Sequence, residues 1–212
     1  MDRDRHAAAF LAAVQQSWEL ASTPQVRQAW GQESACAGMT VGGLAHHLLG
    51  QARNTCRLLE ASPGEDEPIA LLEHYSRAAW VQPEAEVNAS IRDSDNAAAE
   101  RGPDAVLGEA RAAIDALPEL LAGPRDPDTV HIAWQGWSLS TPDFLTTRMM
   151  EMVVHGDDLA ASVGLPTPTY PDDVIGPVLA LLTGVAVRRH GQSALVRVLA
   201  RPQRAPGTVS AF

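Results

Sequence analysis

Apolar residues recur at intervals of three and four along most of this chain, the signature of helices that bury one face. Phe10, Leu11, Val14, Trp18 and Leu20 predict a first helix over residues 3–22. Pro24 breaks it, and a loop or short helix follows to Gly38. Thr40 is a good N-cap for a long helix ending near Ala61, whose inner face carries Val41, Leu44, His47, Leu48, Gln51, Thr55 and Leu58. An acidic turn over 62–68 reads as a solvated loop. A helix over 69–81 and a polar helix over 83–101 come next. Gly102 and Pro103 break the chain before an amphipathic helix over 104–121, with Val106, Ala110, Ala113, Ile114 and Leu117 facing inward. The Gly- and Pro-containing run 123–128 ends it.

Residues 129–134 have β-like composition and predict a short strand, with 135–140 as a loop. Thr141 and Pro142 open the next helix, since proline suits the first helical turn. It extends to Val163 and stops at Gly164 and Pro166. A last helix covers 172–190, and the tail 201–212, with its Pro and Gly residues, is expected to be partly mobile. There is no internal repeat and no linker between domains. The expectation is an all-α, up-and-down four-helix core with accessory helices over residues 1–200, followed by a short tail.

Composition narrows the function. At 212 residues the chain can bury a sizeable core, and 45% hydrophobic with 20% charged residues is ordinary for a globular domain. The net charge of −10 argues against nucleic acid as a partner, because phosphate binding needs clustered cations. All basic residues other than histidine are arginines. Cys36 and Cys56 form no CxxC pair, which argues against a disulfide framework or a thiolate zinc cluster and toward a reducing cytoplasm. The charged N-terminus lacks a signal-peptide core, and no apolar run reaches the ~18 residues of a membrane span. A soluble protein is expected, and the pattern leaves a homodimer open.

The candidate chemistry lies on the helix over 141–163. Glu151 and His155 are four residues apart, so they share a face and can grip one metal ion from one side. Met149, Met150, Met152, Val153, Val154 and Leu159 leave this helix little polar surface. A carboxylate and an imidazole buried there need partners, since desolvation without one costs several kcal/mol. Arg148 and Asp158 extend the same face. Arg148 can bind a substrate carboxylate or pair with Asp157 or Asp158; Asp158 can orient His155 or cap local backbone. On the helix after Thr40, the spacing of 44, 47, 48 and 51 favours His47 as the inward histidine, with His46 about 100° away. Three ligands from two helices leave a metal with open positions, as in a catalytic site. His131 is a further candidate, and Trp134 and Trp137 either wall a pocket or pack in the core. The chain contains no GxSxG, P-loop, GxGxxG or HExxH motif.

The run from Thr40 through Val41, Leu44 and His47 to Leu48 resembles the W-T-V-x-D-L-x-x-H-L start of the second helix in the mycothiol-dependent maleylpyruvate isomerase family, within the DinB-like four-helix metalloproteins. Arg148, Glu151, His155, Asp158 and Leu159 resemble its R-x-x-E-x-x-x-H-x-x-D-L signature. The resemblance implies that His47, Glu151 and His155 bind a divalent metal, zinc first with nickel or iron(II) as alternatives. It also implies that mycothiol, the thiol of actinobacteria, serves as cosubstrate at the open position. Two positions depart from the pattern: Met39 stands where the family has Trp, and Gly43 where it has Asp. The chain also ends soon after the bundle, without the isomerase's additional C-terminal domain, so an S-transferase is expected at least as much as an isomerase. A non-catalytic metal- or ligand-binding protein, a non-haem iron enzyme and a metal-free helical protein are the competing readings.

Overall fold

A computed structural model describes residues 2–78 and 86–212. In chain order its helices are α1 (Asp2–Ala21), α2 (Pro24–Gln28), α3 (Val41–Glu60), α4 (Leu71–Arg77), α5 (Glu86–Ala99), α6 (Pro103–Ala122), α7 (Thr141–Ser162), α8 (Asp172–His190) and α9 (Gln192–Ala200). Strands β1 (Thr129–Ile132) and β2 (Trp137–Ser140) lie between α6 and α7. The parts of the helices expected over 79–81 and 83–85 lie outside the described residues.

Four helices, α1, α3, α6 and α7, each about 30 Å long, form the bundle: α1 packs along α7, and α3 packs against both α6 and α7. Phe10 and Val14 from α1, Leu44 and Leu48 from α3, Leu117 from α6 and Phe144, Leu145, Met149 and Met152 from α7 are all fully buried. They make one contiguous core. α8 covers α1 and α7 through Val174, Val178 and Leu181. Among the described residues no helix is long and apolar enough to cross a membrane.

Local chemistry fixes the two helices that carry the candidate site. The Thr40 hydroxyl accepts the Gly43 N–H at 2.9 Å and caps α3. At the other end Arg125 Nη1 donates to the Leu59 carbonyl at 2.8 Å, one of the acceptors a helix C-terminus leaves open. The Ser140 hydroxyl accepts the Asp143 N–H at 3.2 Å, and Pro142 occupies the first turn of α7, where no N–H is needed.

Two residues of α3 show why glycine stands there. A Cβ on Gly42 would lie 2.5 Å from Trp30 Nε1, which donates to the Ala99 carbonyl at 2.9 Å. An alanine in a helix interior normally gains about 1 kcal/mol over glycine. Here the displaced indole should win, and Gly42→Ala is expected to destabilise the fold by about 2 kcal/mol in urea unfolding. A Cβ on Gly43 would collide with Asn96 Oδ1. That oxygen accepts from the Thr40 N–H at 2.9 Å and the Thr40 hydroxyl at 3.2 Å, while Asn96 Nδ2 donates to the Gly38 carbonyl at 2.9 Å. The carboxamide from α5 thus stands at the head of α3, in the space a side chain at position 43 would need.

The segment 135–140 is not only a loop. Its second half is β2, antiparallel to β1 in the register Val130↔Leu139 and Ile132↔Trp137, and Gly136 supplies a positive φ of 79° in the turn. α9 was not expected either. It follows Gly191, at φ 82°, and carries no buried residue. The tail, expected to be mobile, returns to the bundle: His190 Nε2 donates to the Ser210 carbonyl at 2.7 Å, and the Phe212 ring lies 5.8 Å from that of Tyr75.

Candidate metal centre

A cleft of about 880 Å³ opens beside α3, α5 and α7, and His47, Glu151 and His155 line it together with Asp95, Arg148 and Trp134. α3 delivers His47 and α7 delivers the other two. His47 Nε2 lies 3.6 Å and His155 Nε2 3.3 Å from the same oxygen, Glu151 Oε2. One donor atom from each of the three residues falls within 4.8 Å of the others. The two rings meet edge to face, centroids 4.8 Å apart at 87°.

The remaining ring nitrogens are also engaged. His155 Nδ1 is 3.1 Å from Asp158 Oδ2, one turn along α7, and His47 Nδ1 is 2.8 Å from Asp95 Oδ2 on α5. A carboxylate can only accept from an N–H here, so each Nδ1 carries a proton and each Nε2 is the nitrogen left for another partner. Burial pulls the His155 pKa down, but hydrogen bonds to Asp158 and Glu151 outweigh it and raise it to about 9. His47 is raised in the same way: its bonds to Asp95 and Glu151 overcome burial. Burial pushes Glu151 up, yet the two histidines and the Arg148 charge hold it well below the ordinary carboxylate range. Two imidazole nitrogens and a carboxylate oxygen facing one point suit a divalent ion, which would displace protons from the rings. The donor set fits such an ion.

The other expected site residues divide. Arg148 Nη1 donates to Gln51 Oε1 at 2.9 Å, its Nε donates to Thr147 Oγ1 at 2.9 Å, and its guanidinium lies 5.6 Å from the Phe144 ring centre. The pairing with Asp157 or Asp158 considered from sequence is not formed among the described residues: Asp158 holds His155, and Asp157 accepts from the Thr167 hydroxyl. Asp158 meets His155 from one turn away, and its carboxylate also falls within 4.8 Å of a donor atom of Cys36. His46 turns to Asp95 and Arg53, on the α5 side. His131 sits on β1, its Nδ1 3.2 Å from the Ser138 hydroxyl across the hairpin. Trp134 is 58% exposed at the cleft, whereas Trp137 donates through Nε1 to His74 Nδ1 at 3.1 Å.

Two neighbours escaped the sequence. Asp95 lies in the polar helix expected over 83–101, whose sequence does not mark it as inward. Cys36 lies in a loop, yet it groups with His155 and Asp158 within 4.8 Å. Burial and the Asp158 charge push its thiol pKa up, so it is a thiol and not a thiolate at neutral pH.

His74, on α4, lines the same cleft and is fully buried. Burial, with the Arg148 charge, lowers its pKa from 6.5 to about 4. The folded protein therefore binds fewer protons than the unfolded chain between those values, and this residue's contribution falls as pH drops through that window. The penalty should reach about 3 kcal/mol near pH 4. His74→Gln is expected to flatten that part of the stability–pH curve in urea titrations run from pH 7 to pH 4.

No curated protein and no solved structure matches the chain. A family model does match: that of the mycothiol maleylpyruvate isomerase N-terminal domain, over residues 10–160, a span that takes in α3 with His47 and α7 through Asp158. With that coverage and this bundle, the chain belongs to the mycothiol maleylpyruvate isomerase N-terminal domain family.

Proposed function

We propose that this protein is a divalent-metal-dependent enzyme that uses mycothiol as its thiol cosubstrate and acts on a small electrophile, either by S-transfer or by thiol-assisted isomerisation. The observation that carries the reading is the convergence of His47 Nε2, Glu151 Oε2 and His155 Nε2 at one point of a cleft large enough for small molecules. These three residues would hold the metal, zinc in the first instance, with nickel or iron(II) tolerated by the same donors. When bound, the metal supplies a lowered thiol pKa, so that the nucleophilic thiolate is available at neutral pH.

The remaining tasks fall to the chain. Asp158 accepts the Nδ1–H of His155 and holds that ring with Nε2 toward Glu151. Arg148 is kept in one orientation by Gln51, Thr147 and the Phe144 ring, and it receives an anionic group of the electrophile in the cleft. Trp134 and Ile132 give the cleft an apolar wall. The metal-binding unit is residues 1–200, and a reaction that uses a low-molecular-weight thiol belongs in the reducing cytoplasm.

The test is metal content by plasma mass spectrometry on protein purified without a metal-affinity column, followed by incubation with mycothiol and a panel of electrophiles, reading thiol loss for S-transfer and thiol-dependent product formation for isomerisation. About one equivalent of metal is expected, with metal-dependent thiol loss or metal- and thiol-dependent isomerisation. A stoichiometric metal with neither thiol loss nor thiol-dependent isomerisation would make it a binding protein of the same fold. An oxygen-dependent activity that follows iron would make it a non-haem iron enzyme.

A further inference from the structure

On α7 the orienting carboxylate of His155 comes from the same helix, one turn on. α3 offers His47 nothing comparable: the residues three and four positions away are Leu44, Gly43, Gly50 and Gln51, none of them acidic. The carboxylate that meets His47 comes instead from α5, which packs along α3. Asp95 is buried, 9% exposed, and its two oxygens are divided between two adjacent histidines. Oδ2 meets His47 Nδ1 at 2.8 Å and Oδ1 meets His46 Nδ1 at 2.6 Å. Arg53 Nη2 lies 2.6 Å from His46 Nε2. A guanidinium has donors only, so His46 Nε2 accepts and the His46 proton sits on Nδ1, where it is given to Asp95. Both nitrogens of His46 are therefore spent, which leaves it no atom for a metal. Its place in the network is to hold the carboxylate.

We propose that Asp95 is the positioning residue of the metal centre: delivered from α5 and steadied by His46 and Arg53, its carboxylate fixes the His47 ring so that Nε2 faces Glu151 and the ion. This rests on the metal reading given above. The network Arg53–His46–Asp95–His47 makes an accessory helix part of the site, whereas the bundle alone supplies the three ligands. A carboxylate on the far nitrogen of a ligating imidazole sets the ring's tautomer and rotation and strengthens it as a donor.

The test uses the full chain, loaded with zinc or with cobalt(II). Asp95→Ala is expected to weaken zinc binding by about 10- to 100-fold in competition with a chromophoric chelator, and to shift the visible absorption bands of the cobalt protein. Asp95→Asn keeps the shape but can accept from only one of the two ring N–H groups, so a smaller loss is expected. His46→Ala should lose less than Asp95→Ala, because the bond to His47 survives. Asn96→Ala is the control for loosened packing of α5. It removes the neighbouring contact with Thr40 and should lower the thermal midpoint while leaving zinc affinity and the cobalt spectrum unchanged.

Wild-type affinity and an unshifted cobalt spectrum in Asp95→Ala would overturn the proposal. So would an equal loss of affinity in Asn96→Ala, which would assign the effect to helix docking in general. If the wild-type chain takes up neither zinc nor cobalt, the metal reading itself falls and Asp95 with it.

Discussion

Glu151→Gln should leave the fold standing and take the metal away. Glu151 is the only anionic member of the candidate ligand set, and both imidazoles direct Nε2 at its Oε2. The amide has the same shape but no charge to balance a divalent ion. Outer carboxylates that orient a ligand are worth 10- to 100-fold in affinity, so a direct charged ligand should be worth more, on the order of a thousandfold. The expected result is metal at background level after dialysis against a weak chelator, with thiol-dependent turnover lost in parallel. The helical circular dichroism should persist, because α7 is anchored by Phe144, Leu145, Met149, Met152 and Leu159, all fully buried and none of them touched. Metal-free Glu151→Gln should still be less stable than metal-free wild type by about 2 kcal/mol at neutral pH, since two half-buried imidazoles lose the carboxylate that raises their pKa values. Wild-type metal retention in the variant would mean that the ion is held elsewhere.

Phe10→Ala is the substitution with the largest expected cost to the fold. Its ring is wholly buried on α1, whose most extensive packing is against α7. Truncating a phenylalanine in such a place removes its transfer free energy and leaves a cavity, together about 4 kcal/mol. A domain of this kind has only about 5–15 kcal/mol in total. At roughly 2–4 °C per kcal/mol for this size, the thermal midpoint should fall by about 10 °C. Leu199→Ala on α9, a residue 75% exposed, makes the contrast and should change stability by less than about 0.5 kcal/mol. A Phe10→Ala midpoint within a degree or two of wild type would mean that α1 does not anchor the bundle.

The bundle could be read from the chain because its helices announce themselves locally. Thr40 and Ser140 are caps, Pro142 fits a first turn, and Gly191 and Gly164 stop helices with φ values of 82° and 68°. The three- and four-residue spacing on α3 and α7 put His47, Glu151 and His155 on inward faces, and those are the residues the fold brings within reach of one another. Less local features stayed hidden. β2 is short, and only its pairing with β1 makes it a strand. α9 carries Leu195, Val198 and Leu199 at helical spacing, but it is only nine residues long and none of its residues is buried. Asp95 and Asn96 reach α3 from a helix about fifty residues away, and nothing in a polar run says which members turn inward. The same holds for Cys36, whose neighbours His155 and Asp158 belong to a helix more than a hundred residues further on. Spacing along one helix is legible in a sequence, whereas the meeting of side chains from different helices is set by packing.

The candidate ligands come from α3 and α7, about a hundred residues apart in the chain, a separation at which loop closure is entropically demanding. An ion held there would therefore do more than chemistry. It would act as a rivet between the early and late parts of the chain, much as a long-range disulfide does, but one that opens at a rate of its own. The loaded protein could not fully unfold without first letting the ion go. Its survival on heating would then be paced by metal release and would depend on the choice of metal, even where the packing of the core, and with it the equilibrium stability of the metal-free chain, is unchanged.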